Sequence, residues 1–204
     1  MKRIIMKSRK GILQNLILLS IGLFMCIAPA AIQAQSKWTL EFRPSLNFPT
    51  TYLADSKLNI GFGFDGQVLY RFMPHTSVYA GWGWNMFPQD KSQGNEYSNE
   101  ETGYTFGLQF MRPFPNTEIR YFLKGGGVYN HLEIEKGNEL YTDSGHELGW
   151  QVETGVSLPL DFGIAINPSL RYRHLSGNII KDAHKQAFDL NYLSVGVGVS
   201  KTFR

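Results

Sequence analysis

A histidine and a serine lie two residues apart in the segment RYRHLSGN, residues 171–178. Side chains alternate between the two faces of an extended strand, so His174 and Ser176 face the same way. Asp189 opens the next segment and, by the same count, points to that face as well. A hydroxyl, an imidazole and a carboxylate at adjacent strand ends could serve an esterase as nucleophile, general base and orienting group.

This segment resembles the lipid A 3-O-deacylase family, which has the pattern His-x-Ser-Asn followed by a Glu in the next strand. The resemblance implies that Ser176 attacks an ester-linked acyl chain, that His174 takes its proton and that Asp189 orients the imidazole. Two positions depart from the pattern, because Gly177 replaces the Asn and Asp189 lies one residue later than the Glu. The alternative, which we adopt, is that His174 and Ser176 are interfacial residues where a strand leaves a membrane.

Two further segments contain residue types that bind ligands. GFGFDG fits the G-x-G-x-x-G expression, but a dinucleotide site needs a helix to begin there, and these glycines continue a strand pattern. His131, Glu133 and Glu135, with Asp143 and His146, could chelate a divalent cation, but their spacing fits a solvated hairpin tip equally well. We therefore predict no cofactor and no metal site.

The elements that must position these side chains are β-strands, because apolar residues recur at every second position in eight segments. In the last segment, Leu193, Val195, Val197 and Val199 alternate with small or polar residues. No segment after residue 34 shows a convincing helical period. The predicted strands comprise residues 38–48, 60–72, 77–87, 104–110, 118–130, 147–159, 162–174 and 191–204.

Short and long connections alternate between these segments. The predicted short turns are 73–76, 114–117 and 160–161, and the predicted long polar loops are 49–58, 88–101, 131–145 and 175–188. This arrangement is typical of an outer-membrane barrel. We predict an all-β fold, an eight-stranded antiparallel transmembrane β-barrel in an up-and-down meander with both termini on the periplasmic side. The alternative is a soluble lipocalin-type barrel, whose apolar face would point inward.

The hydrophilic faces of the strands carry charges of both signs, which can pair inside a narrow barrel. Aromatic residues near the strand ends suit the two membrane interfaces, and about 9–11 residues per strand suffice to cross the hydrocarbon. Eight strands leave an interior that side chains fill, so we expect no open channel. The predicted interior charge network consists of Glu41, Arg43, Asp65, Arg71, Arg120, Lys124, Glu147, Glu153, Arg171 and Arg173.

The N-terminal residues have the features of a secretory signal peptide. Five basic residues at positions 2–10 precede an apolar run at 12–28, and the segment APAAIQAQ offers small residues for cleavage. We expect cleavage after Ala34, which divides the chain into a signal peptide, 1–34, and an outer-membrane barrel domain, 35–204. A retained membrane anchor is the alternative.

Removal of that segment changes the bulk properties. Five of the 20 basic residues and none of the 17 acidic residues lie before residue 35, so residues 35–204 carry a formal charge of −2. The basic character of the full chain is therefore no argument for nucleic-acid binding. The single cysteine, Cys26, is removed with the same segment, so no disulfide is expected.

The segments SLRYRHLS and LNYLSVGVGVSKTF resemble the last two strands of the bacterial outer-membrane β-barrel domain family, the OmpA- and OmpX-like eight-stranded proteins. The resemblance covers nearly all of residues 37–204. It implies that the final strand is the signal read by the outer-membrane assembly machinery, although Arg204 follows the aromatic residue on which the family's strand ends. The residues of this assembly signal are Tyr192, Val195, Val197, Val199 and Phe203.

The expected function follows from the resemblance to small outer-membrane barrels. We predict a porin-like fold in the outer membrane of a Gram-negative bacterium, with a non-enzymatic role in envelope integrity or surface contacts through its four long loops. The predicted partners are outer-membrane lipid, lipopolysaccharide and the barrel assembly machinery, with no nucleic acid, and the chain is predicted to be a monomer. The alternative function is the lipid A deacylase activity of Ser176, His174 and Asp189.

Overall fold

The computed structural model describes residues 37–51, 58–88, 97–136, 139–181 and 184–203. These residues form one closed sheet in which each strand pairs antiparallel with the next and the first pairs with the last. The predicted eight-stranded up-and-down barrel is confirmed, and the predicted signal peptide lies outside the described residues. The strands are β1 (Trp38–Pro49), β2 (Gly61–Met73), β3 (Thr76–Pro88), β4 (Tyr97–Pro113), β5 (Arg120–Lys136), β6 (Glu139–Pro159), β7 (Ile164–Lys181) and β8 (His184–Phe203).

The apolar faces of the strands point away from the lumen. Along β8, Val195 and Val199 are each 52% exposed. Ser194, at an inward position of the same strand, is fully buried. A soluble barrel would bury the valines and expose the serine, because only apolar surface gains from leaving water. The lipocalin-type alternative is therefore excluded. Among the described residues, no helix is long and apolar enough to cross a bilayer.

Much of the predicted loop structure is wrong, because strands continue through it. The predicted loop 131–145 is largely occupied by the ends of β5 and β6, and the predicted loop 175–188 by β7 and β8. Ser176 pairs with Asp189 and Asn178 with Ala187 in regular register. Strands that project into water can carry polar residues on both faces, so the alternation disappears while the backbone ladder continues. We call the end of the barrel that contains these strand extensions the extended end.

The opposite end of the barrel, the short-turn end, has the tight connections that the sequence predicts. Between β2 and β3 only Pro74 and His75 lie outside the strands. A 3₁₀ turn at Asp161–Gly163 connects β6 to β7 and places Phe162 at a φ of 60°. Lys201 Nζ donates a hydrogen bond to the carbonyl oxygen of Phe162, which holds this left-handed conformation in place.

Candidate functional site

The interior charges of the barrel converge on Asp65, a fully buried residue in the middle of β2. Its carboxylate accepts a hydrogen bond from Arg171, and it forms ion pairs with Arg173 at 3.2 Å and with Arg43 at 3.6 Å. The three arginines come from β1 and β7, whose inward positions face Asp65 from two sides of the lumen. Each arginine side chain is at most 2% exposed, so the charges compensate one another without water.

A second cluster lies closer to the short-turn end. Lys124 Nζ lies 2.5 Å from Glu41 Oε1 and donates a second hydrogen bond to Gln67 Oε1 at 3.1 Å. Asn167 Nδ2 donates to the other carboxylate oxygen of Glu41 at 3.0 Å. Arg43 joins the two clusters through Glu153, because its Nε lies 3.4 Å from Glu153 Oε1 and Glu153 is opposite Lys124 in the register of β5 and β6. The charged interior is therefore one connected network across β1, β2, β5, β6 and β7.

Glu101 is a central member of the network that the sequence analysis missed. Its Oε1 lies 2.9 Å from Arg173 Nη1, and its Oε2 accepts hydrogen bonds from Tyr192 at 2.6 Å and from Asn85 at 2.7 Å. Glu101 falls within the predicted loop 88–101, whereas β4 already begins at Tyr97. Its two-residue spacing from the inward Gly103 and Thr105 is the signal that could have identified it.

Apolar side chains fill the lumen beyond the network toward the extended end. Leu175 occupies the next inward position after Arg173, and Leu190 the one before Tyr192. The rings of Phe87 and Tyr192 meet edge to face with centroids 5.0 Å apart. The members of this apolar cluster, all at most 5% exposed, are Leu58, Phe87, Val128, Leu132, Leu175, Phe188, Leu190 and Tyr192.

Three residues of the predicted network lie elsewhere. Arg71 and Arg120 line a cavity at the short-turn end, and Glu147 lies on β6 toward the extended end. Within the described residues, none of the three forms an ion pair with an oppositely charged side chain. The other seven predicted residues, Glu41, Arg43, Asp65, Lys124, Glu153, Arg171 and Arg173, are buried in the connected network.

The candidate esterase residues lie on the outward face near the extended end. Ser176 is directly opposite Asp189 in the register of β7 and β8. His174 Nδ1, however, lies 2.5 Å from Asn191 Oδ1, and its ring contacts Trp150 with centroids 5.6 Å apart. Within the described residues, no hydrogen bond joins His174, Ser176 and the carboxylate of Asp189. The catalytic assignment stays a prediction, and Asn191, opposite His174 in the register, is the partner that the sequence analysis missed.

The remaining ligand-binding candidates also lie on strands. His131 Nε2 is 3.6 Å from Glu133 Oε1, and the His131 and His146 rings lie 4.9 Å apart. No group of three or more His, Cys, Asp or Glu side chains in the described part of the chain is arranged to hold a metal ion. Gly61 and Gly63 belong to β2 and face inward, so no helix begins at the GFGFDG segment.

The predicted assembly-signal residues occupy both faces of β8. Val195, Val197, Val199 and Phe203 are outward and about half exposed. Tyr192 is inward and fully buried, where its hydroxyl accepts a hydrogen bond from Arg173 at 2.9 Å while donating to Glu101. Tyr192 is thus a structural member of the charge network, and the role of the strand in assembly stays a prediction.

A closed antiparallel barrel with an apolar exterior and a buried network of paired charges defines the class of outer-membrane β-barrel proteins. The family model described as the outer membrane protein beta-barrel domain matches residues 16–203. The chain belongs to this family.

Solved structures share the fold at low sequence identity. Neisserial surface protein A is 14% identical with a TM-score of 0.61, over 81% of this chain and 97% of that one. AlkL is 15% identical with a TM-score of 0.53, over 87% and 94% of the two chains. Escherichia coli outer membrane protein W is 13% identical with a TM-score of 0.52, over 84% and 100%. No curated protein matches the chain in sequence.

Proposed function

We propose that this protein is a non-enzymatic outer-membrane barrel with a sealed interior that contributes to envelope integrity and surface contacts. The observation that carries the proposal is the connected charge network, followed by the apolar cluster, inside the barrel. A solute would have to separate buried ion pairs such as Arg173–Glu101 to pass, which would leave desolvated charges without their partners. The proposal therefore assigns no transport role to the lumen.

The surface role belongs to the extended end of the barrel. There the β-strands project as hairpins with polar residues on both faces. Glu100 and Glu133 lie opposite each other on the outward face of β4 and β5, and Asn99 is buried on the inward face. We place these hairpins outside the cell, where lipopolysaccharide is their nearest partner, because short turns are periplasmic in outer-membrane barrels. Export by the signal peptide 1–34, insertion by the assembly machinery and a monomeric state complete the proposal.

Liposome swelling tests the sealed interior. Purified protein reconstituted into liposomes should give no solute flux above that of protein-free liposomes, whereas a general-diffusion porin in the same lipid should give rapid swelling. Single-channel recordings across a planar bilayer should likewise show no stable conductance steps. Flux of small sugars that scales with the amount of folded protein would overturn the proposal.

A further inference from the structure

We propose that the cavity at the short-turn end is an oxyanion-binding site in which Arg71 and Arg120 hold a phosphate or carboxylate group. The cavity has a volume of about 380 Å³ and lies between the inward faces of the strands and the short turns. It adjoins the charge network through Glu41 and Asn167, but the arginines of that network already have carboxylate partners.

The strand register aims both arginines into this cavity. Arg71 follows Leu69 and Gln67 on the inward positions of β2 and pairs with Ser77 of β3. Arg120 is the first residue of β5 and pairs with Ser157 of β6, two residues before the buried, inward Phe122. The two guanidinium groups thus approach from different strands and line the same cavity.

No carboxylate balances this pair of charges in the described part of the chain. Glu41 is the one acidic residue that lines the cavity, and its two oxygens are engaged by Lys124 and Asn167. Two like charges that face one cavity without a counter-charge favour an anion between them, since the anion removes the repulsion and gains attraction from both. The arginine fork also matches the geometry of carboxylate and phosphate oxygens in two-point hydrogen bonds.

Neutral polar side chains could complete the coordination of the anion. The hydroxyl groups of Ser77 and Ser157 and the amide group of Gln109 line the cavity beside the arginines. The volume accommodates a small oxyanion with some of its water, and a short-turn end in the periplasm would give free anions access to it. A phospholipid headgroup of the inner leaflet presents the same phosphate chemistry at the same end of the barrel.

An NMR titration of the folded protein in the phosphate-free detergent dodecyl maltoside tests the site. Inorganic phosphate replaces chloride in the buffer so that the ionic strength stays constant. The backbone amide chemical shifts of residues 71, 77, 109 and 120 should change until they saturate. Arg71→Gln and Arg120→Gln should each weaken this binding by about tenfold or more, since hydrogen bonds to charged groups are strong. Arg112→Gln is the matched control, because Arg112 is an exposed arginine at the same end that does not line the cavity.

Two results would overturn the proposal: no saturable shift in the wild type, or an equal loss of binding in Arg112→Gln and Arg71→Gln. Gel mobility of unheated samples reports whether each variant is folded. If Arg71→Gln does not fold, Arg120→Gln decides the test, because Arg120 is exposed. Nanodiscs containing phosphatidylglycerol distinguish the sources of the anion. If they shift the cavity amides without added phosphate, and Arg71→Gln removes that shift, a headgroup is the occupant and the site is supported.

Discussion

At the scale of single residues, the barrel depends on charges that compensate one another without water. Asp65 illustrates this dependence, because one carboxylate faces the guanidinium groups of Arg43, Arg171 and Arg173. Desolvating each ion is costly, and the cost is recovered only while every partner stays in place. The loss of one charge is therefore expected to destabilise the interior.

Asp65→Asn tests this dependence directly. The substitution keeps the size of the side chain but leaves an excess positive charge in the lumen, so we expect the free energy of unfolding to fall by about 3–5 kcal/mol. Urea unfolding of the refolded barrel in detergent, followed by gel mobility, measures the change. Glu118→Gln, which removes an exposed carboxylate from a short turn, should change the free energy of unfolding by less than about 0.5 kcal/mol. Equal stability of Asp65→Asn and wild type would contradict the dependence on compensated charge at Asp65.

Ser176→Ala addresses the candidate esterase residues. The imidazole of His174 is paired with Asn191 rather than with the serine, so we expect the substitution to leave lipid A unchanged. Mass spectrometry of lipid A from cells that express the wild type or the variant makes the comparison. Loss of one hydroxyacyl chain only when Ser176 is present would instead establish the deacylase function.

At the scale of strands, the sequence predicts the number of strands, their order and their faces, but not where they end. Period-2 alternation locates all eight strands because the lipid-facing side chains must be apolar within the hydrocarbon. Beyond the hydrocarbon that requirement ends, and the alternation no longer marks the strands. β4 therefore begins at Tyr97 rather than at Tyr104, and β5 continues to Lys136.

The partners of the interior charges follow from the closure of the barrel rather than from any single strand. The parity of β2 predicts that Asp65 points inward, but nothing in that strand indicates that it meets Arg171 of β7 across the lumen. The pairing of His174 with Asn191 likewise depends on the register between β7 and β8. The Asp65–Arg171 contact requires the stagger of the closed sheet, whereas the His174–Asn191 contact requires only two neighbouring strands in register.

Adjacent glycines on β5 give a matched test of strand packing. A Cβ at Gly126 would overlap the carbonyl oxygen of Phe106 and lie 2.7 Å from the Tyr79 hydroxyl, whereas a Cβ at Gly125 would contact nothing within 4 Å. We expect Gly126→Ala to lower the free energy of unfolding by about 1–3 kcal/mol, because the neighbouring backbone must move. Gly125→Ala should be neutral or slightly stabilising, since alanine restricts the unfolded chain. Equal urea midpoints for the two variants would contradict this account of the packing.

At the scale of the whole molecule, the orientation of the barrel in the membrane can be tested with single cysteines. The sequence has one cysteine, Cys26, so a protein that has lost its first 34 residues should give no background. Asn178→Cys places a thiol on an exposed residue of the extended end, and Glu118→Cys places one in a short turn. An impermeant maleimide should label the first variant on intact cells and the second only after permeabilisation. The reverse pattern would invert the proposed topology.

The closing seam between β1 and β8 constrains how the molecule can be made. Thr39 and Thr202 share a hydrogen bond although they lie 163 positions apart in the chain. Joining such distant segments carries a large entropic cost, and contacts of this kind form slowly. β1 cannot be paired on both edges until β8 is in place. Any folding intermediate that lacks β8 therefore has two unpaired sheet edges, at β1 and at β7, and such edges can pair with other chains.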